Sequence, residues 1–287
     1  MICSTGMLSE RPWKPDAVLR LTMWMLLSIS FGGLVVSLLI PKGDGGPAVP
    51  PNIWAIIIGT LALHGVALLL TGLLLREHQL GWREAFGFAA PGPLRAVLLA
   101  IVTTAGILPV AMWLGHLSAV VMQSLDVTPV AQPAVRSIQA VSPLWEKVVL
   151  GALTILVAPV VEEILFRGIL YPVFKQARFP GLADLVRWAL YPWLKARRHR
   201  RTALWVRGVL CLKLRKNGFP FLAAGGTSLF FAVTHANVMT LVPLFVLALV
   251  LTWLYEATDN LLAPILAHCL FNTANFIFLL SAQRLLD

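Results

Sequence analysis

Repeated apolar runs of about twenty residues, separated by short polar connections, leave this chain few folds to choose from. A hydrocarbon core about 30 Å thick is crossed by about 20 helical residues, and backbone groups inside it must bond within their own segment. Leu21 to Ile40 is the first such run, and Ile53 to Leu75, ended by Arg76-Glu77-His78, is the second. A third extends from Leu94 to about Val121, with Pro109 marking a place where it can break. The fourth begins at Ser142-Pro143, a serine N-cap with proline at the first helical position, or at Val148, and ends at Phe174. Three more follow closely, at about Phe219–Thr234, Thr240–Tyr255 and Leu261–Leu280, and their tight connections suit a compact antiparallel group. The expected fold is all-α: a polytopic transmembrane helical bundle of about seven spans, with a basic interfacial insert at 175–219.

Composition supports the membrane reading. With 58% hydrophobic residues, 13% charged and a mean hydropathy of +0.81, an ordinary soluble domain is excluded. A net charge of +10 invites a nucleic-acid partner, but 12 of the 23 Lys and Arg fall between Lys175 and Lys216, with only Asp184 against them. One basic segment between apolar spans fits a cytoplasmic loop on anionic lipid, and no nucleic acid is expected. Trp188, Trp193 and Trp205 alternate with the basic residues, as in helices lying among headgroups; a solvated loop is the plainer alternative. Placing the N-terminus and residues 76–95 and 175–219 in the cytoplasm puts 18 of the 23 Lys and Arg inside. Residues 1–20 resemble a signal peptide, yet no small-x-small cleavage site precedes PKGDGGPAVPP, so a retained first span is expected. Cys3, Cys211 and Cys269 lack any CxxC spacing and support neither a disulfide framework nor a zinc-thiolate site.

Within the fourth run, VAPVVEEILFRGILYPVF at 157–174 holds two carboxylates and a guanidinium. Ionisable groups at such depth typically cost ~2.5–3.5 kcal/mol each, which makes a functional role the default. Glu163 and Arg167 are four residues apart, about 40° around a helix, and form a mutually neutralising structural pair. Glu162 points about 100° away and is left to face a cavity. Pro159 frees a carbonyl just before it, where a kink is expected. Two later runs carry histidine. FFAVTH puts Phe231 and His235 one turn apart near a helix end, and HCLFN puts His268 and Asn272 on one face. Each histidine alone can be a packing residue, and an asparagine can simply stitch helices together. The set of a carboxylate, two imidazoles and an amide on three spans is what hydrolysis requires. His64 and His116 have no nearby acid and read as packing or interfacial groups, while Glu256 and Asp259, in a short turn, read as solvated. No HExxH, GxSxG or phosphate-binding glycine loop occurs.

EEILFR at 162–167 resembles the EExxxR motif of the CAAX-protease and bacteriocin-processing family of intramembrane proteases. FAVTH at 231–235 and HCLFN at 268–272 are similar to its FxxxH and HxxxN motifs. The resemblance covers roughly 148–280, preceded by a three-span region over 1–147, and the basic insert is longer than the family leads one to expect. It implies a helical bundle around a conical chamber open to the cytoplasmic side. It further implies Glu162 as general base, His235 as its partner in holding the attacking water, and His268 with Asn272 as oxyanion stabilisers. Glu163, Arg167 and Phe231 take supporting positions. Glu162, His235 and His268 also form an oxygen-and-nitrogen set of the kind that holds Zn2+ with one open position. Spacing leaves that choice open, and the asparagine beside His268 leans towards a metal-free glutamate mechanism. The expected function is an endopeptidase acting on a membrane-associated protein or peptide. Two rivals stand beside it: a non-catalytic scaffold, such as an immunity or secretion partner, and a proton-coupled transporter using the buried Glu and His.

Overall fold

In the computed structural model, which describes residues 8–39, 53–88, 92–141, 143–176 and 220–284, the apolar runs are helices. Helix α1 is Pro15–Leu39, and α2, Ile53–Glu77, contains a π turn at Leu61–Gly65. The short α3 (Trp82–Ala85) leads to α4 (Pro93–Ser124), and α5 (Pro133–Ala140) leads to α6 (Leu144–Gln176). After the insert come α7 (Phe221–Thr234), α8 (Val238–Thr258) and α9 (Leu262–Arg284). No strand occurs among the described residues.

Among the described residues six helices, α1, α2, α4, α6, α8 and α9, are long and apolar enough to cross a membrane. Helix α7, with 14 residues, is shorter. The chain is thus an integral membrane protein, a polytopic helical bundle of about seven spans. Its outer surface carries exposed Met23, Trp24, Phe31, Trp113 and Phe278, which suit lipid rather than water. The basic insert with Trp188, Trp193 and Trp205, the Ser142 cap and the connection at 40–52 lie outside the described residues.

Pro109 does not break the third span: α4 is one helix with Pro109 inside it. Tertiary bracing explains this, because α4 packs along both α8 and α9. The Thr104 hydroxyl on α4 donates to the Ala100 and Ala267 carbonyls, tying α4 to α9 about one turn before the proline.

The end of the bundle nearest the N-terminus is closed by residues 8–14. The Trp13 indole N–H donates to the Gly168 carbonyl at 2.8 Å, and Gln176 Nε2 donates to the Arg11 carbonyl at 2.6 Å. Glu256 is not solvated, as its turn position suggested. It is buried and accepts from the Leu8 amide (3.0 Å), Lys175 Nζ (2.6 Å) and the Tyr171 hydroxyl. Asp259 is partly exposed but paired with Arg11 at 2.6 Å. These partners lie far away in sequence, so no local pattern announces them.

Two glycines permit this closure. Gly87 has φ +73° and lies so close to the Asp259 carbonyl that a Cβ would fall 1.9 Å from its oxygen. At Gly168 a Cβ would fall 2.7 Å from the Phe86 ring and 3.3 Å from Leu261. Gly168→Ala is therefore expected to overpack this layer and cost about 1–3 kcal/mol. Thermal unfolding in detergent should show the loss, and adding Phe86→Leu should return part of it.

Candidate active site

Helix α6 departs from ideal α geometry on both sides of its acidic pair, with π segments at Leu153–Val157 and Ile164–Leu170. Such segments often mark functional positions. Pro159 supplies no N–H, and in the wider π register the carbonyl five residues back is that of Thr154. The Asn272 side-chain amide donates to that carbonyl at 2.8 Å. The freed carbonyl expected from the sequence thus finds its partner on α9, as a backbone group at membrane depth must.

Glu163 and Arg167 form the buried pair that their spacing implies. Their relative exposures are 0% and 1%, and Arg167 Nη1 donates to Glu163 Oε1 at 2.8 Å. Arg167 also donates to the Ala248 carbonyl at 3.2 Å and lies over the Phe231 ring, 4.6 Å from its centroid. The same Glu163 oxygen accepts from His268 Nδ1 at 2.8 Å. Helices α6, α8 and α9 are joined by this one network, so the pair both supports the bundle and orients His268.

Phe231 explains why an aromatic sits one turn before His235. Its ring is fully buried, 4.7 Å from the His235 ring and 5.8 Å from that of His268, and it meets Phe166 edge-on at 5.1 Å. His235 caps α7 and donates from Nδ1 to the Phe231 carbonyl at 2.9 Å, which leaves Nε2 as its free atom. His268 likewise presents Nε2, 3.8 Å from Glu162 Oε2.

Glu162 differs from its neighbour in each respect. Its side chain is 23% exposed, and among the described residues it accepts no hydrogen bond from the protein. The fold brings Glu162, Glu163, Arg167, Phe231 and His268 into contact in sequence, with His235 on Phe231 and Asn272 one turn along α9 from His268. A carboxylate left unbonded beside an imidazole, next to the paired Glu163 and Arg167, is able to take a proton from water.

Metal ligation is less well served. Nδ1 held by a carboxylate with Nε2 free is a pattern found in metal-binding histidines. Even so, among the described residues no three His, Cys, Asp or Glu side chains gather closely enough to hold an ion. The donors as placed do not fit a metal centre.

His64 is half-buried in the π turn of α2. His116 is exposed on α4, in keeping with an interfacial or lipid-facing position.

Residues 144–274 match the family described as type II CAAX prenyl endopeptidase Rce1-like. The matched segment lies in the second half of the chain. Neither a curated protein nor a solved structure matches. The matched region contains Glu162, Glu163, Arg167, Phe231, His235, His268 and Asn272.

Proposed function

We propose that the protein is an intramembrane endopeptidase that hydrolyses a peptide bond in a membrane-associated protein or peptide. The observation that carries this reading is the unbonded, partly exposed Glu162 carboxylate, 3.8 Å from His268, beside a fully buried Glu163–Arg167 pair. The Rce1-like match supports it independently. In this reading Glu162 takes a proton from water while the free Nε2 of His235 accepts the water's other hydrogen. The water oxygen bonds to the substrate carbonyl carbon, and His268 and Asn272 stabilise the oxyanion. The C–N bond then breaks, and Glu162 returns the proton to the departing amine. His268 can donate from Nε2 only when it carries both ring protons. In that form the cluster is electrically balanced, with Glu162 and Glu163 against Arg167 and His268. The test is to compare protein N-termini in membranes from cells carrying wild type or Glu162→Gln. New termini that appear only with wild type support the protease, and identical sets favour a non-catalytic scaffold.

The N-terminus and the basic insert are proposed to face the cytoplasm, with anionic lipid as the insert's partner. Support comes from the Lys and Arg distribution and from the bundle itself, where Arg11, Arg20 and Lys175 share one end. In a background without native cysteines, a membrane-impermeant thiol reagent should label Gln139→Cys on intact cells and spare Glu10→Cys. The reverse pattern overturns this orientation.

A further inference from the structure

We propose that Trp13 is a positioning residue for α6: its indole N–H holds the Gly168 carbonyl and so sets the register of the π segment that brings Arg167 to Glu163. The inference rests on the hydrolytic reading above for its catalytic consequence, but not for its geometry.

Each π segment of α6 runs up to a proline. Leu153–Val157 precedes Pro159, and Ile164–Leu170 precedes Pro172. A proline supplies no N–H, and its ring crowds the carbonyl four residues back, so the helix bends or widens ahead of it. For Pro172 that carbonyl belongs to Gly168. Both breaks are repaired from outside the helix. Asn272 on α9 donates to the Thr154 carbonyl, and the Trp13 indole donates to the Gly168 carbonyl at 2.8 Å. A backbone carbonyl at membrane depth must have a donor, so a helix deprived of this one has to shift until it finds another.

Trp13 is itself held on every side. It is 3% exposed, and its ring meets Phe86 at 6.2 Å and His78, at the end of α2, edge-on at 5.5 Å. Just before it, the Arg11 carbonyl accepts from Gln176 and the Arg11 side chain pairs with Asp259 at the end of α8. Just after it, the Lys14 amide donates to His78 Nε2 at 3.3 Å. The indole therefore reaches α6 from a segment tied to α2, α6 and α8.

The consequence for the site follows from what adjoins Gly168. Arg167 precedes it directly, so a shift of the Gly168 carbonyl moves the backbone from which the guanidinium reaches Glu163. Glu163 in turn accepts from His268 Nδ1. Trp13, Gly168, Arg167, Glu163 and His268 thus form one chain, each link a hydrogen bond or a shared peptide unit. Trp13 touches no reacting atom and moves no proton; it keeps the groups around Glu162 in place. It also lies before the Rce1-like match, which begins at residue 144.

Three variants of the full-length protein test this. Trp13→Phe keeps an aromatic ring against Phe86 but has no donor. Replacement of Trp13 by 3-benzothienylalanine, with sulfur where the N–H was, keeps the whole ring and guards against a folding failure in Trp13→Phe. Trp13→Phe combined with Pro172→Ala restores a donor from within α6, the backbone N–H of residue 172. By hydrogen exchange and mass spectrometry in detergent, the amides of residues 164–176 should exchange at least about fivefold faster in both donor-less single variants. In the double variant the rate should return towards wild type. At equal membrane abundance, the new N-termini that wild type generates should form at least about fivefold more slowly in the single variants and recover in the double. Wild-type exchange in the benzothienylalanine protein, or a double variant as impaired as Trp13→Phe, overturns the proposal, since the ring and not the N–H is then what matters. Faster exchange with unchanged cleavage overturns it too, reducing Trp13 to a structural residue. Failure of wild type to generate new N-termini would instead overturn the protease reading, while the exchange rates would still decide whether Trp13 sets the register of α6.

Discussion

Glu163→Ala should lower the stability of the bundle by about 3–5 kcal/mol, seen as a drop in membrane abundance and in the thermal midpoint in detergent. Arg167, at 1% exposure, would keep only the Ala248 carbonyl and the Phe231 ring as partners for a full charge. The same substitution removes the acceptor of His268 Nδ1, so catalysis should fall with stability. Combining Glu163→Gln with Arg167→Met removes both charges and retains an amide oxygen for His268. That double variant should therefore recover part of the lost midpoint. Midpoints equal to wild type in both variants would show that the pair is not structural.

Glu162→Gln should behave in the opposite way. Among the described residues its side chain has no hydrogen-bond partner, and it is partly exposed, so the isosteric amide should leave the thermal midpoint unchanged. An amide cannot accept the water's proton, and cleavage of the membrane substrate should fall by about 10²–10⁴-fold. His235→Ala should show a comparable loss in folded protein, since it removes the second group holding the water. Asn272→Ala should retain measurable turnover, losing at most about 10²–10³-fold, because His268 remains as a donor. It should also cost some stability, since the Thr154 carbonyl loses its 2.8 Å donor. Full activity in Glu162→Gln would remove Glu162 from the mechanism.

What the sequence determined by itself follows from interactions that are local along a helix or set by the bilayer. Helix length against hydrocarbon thickness placed about seven spans, because an uninterrupted apolar run in lipid has little choice but to be helical. Four-residue spacing paired Glu163 with Arg167, set Glu162 on a different face, and put Phe231 under His235, since both members of each pair ride on one helix. Only tertiary structure decided the contacts between helices. The α6 sequence shows that Pro159 frees a carbonyl, but not that Asn272, 118 residues from Thr154, would fill it. Pro109 looks like a break until α8 and α9 brace α4 around it. Glu256 looks like a solvated turn residue until Leu8, Tyr171 and Lys175 close over it. Helical periodicity fixes which residues share a face, but which face meets which depends on packing energies summed over the whole bundle, and no single segment contains that information.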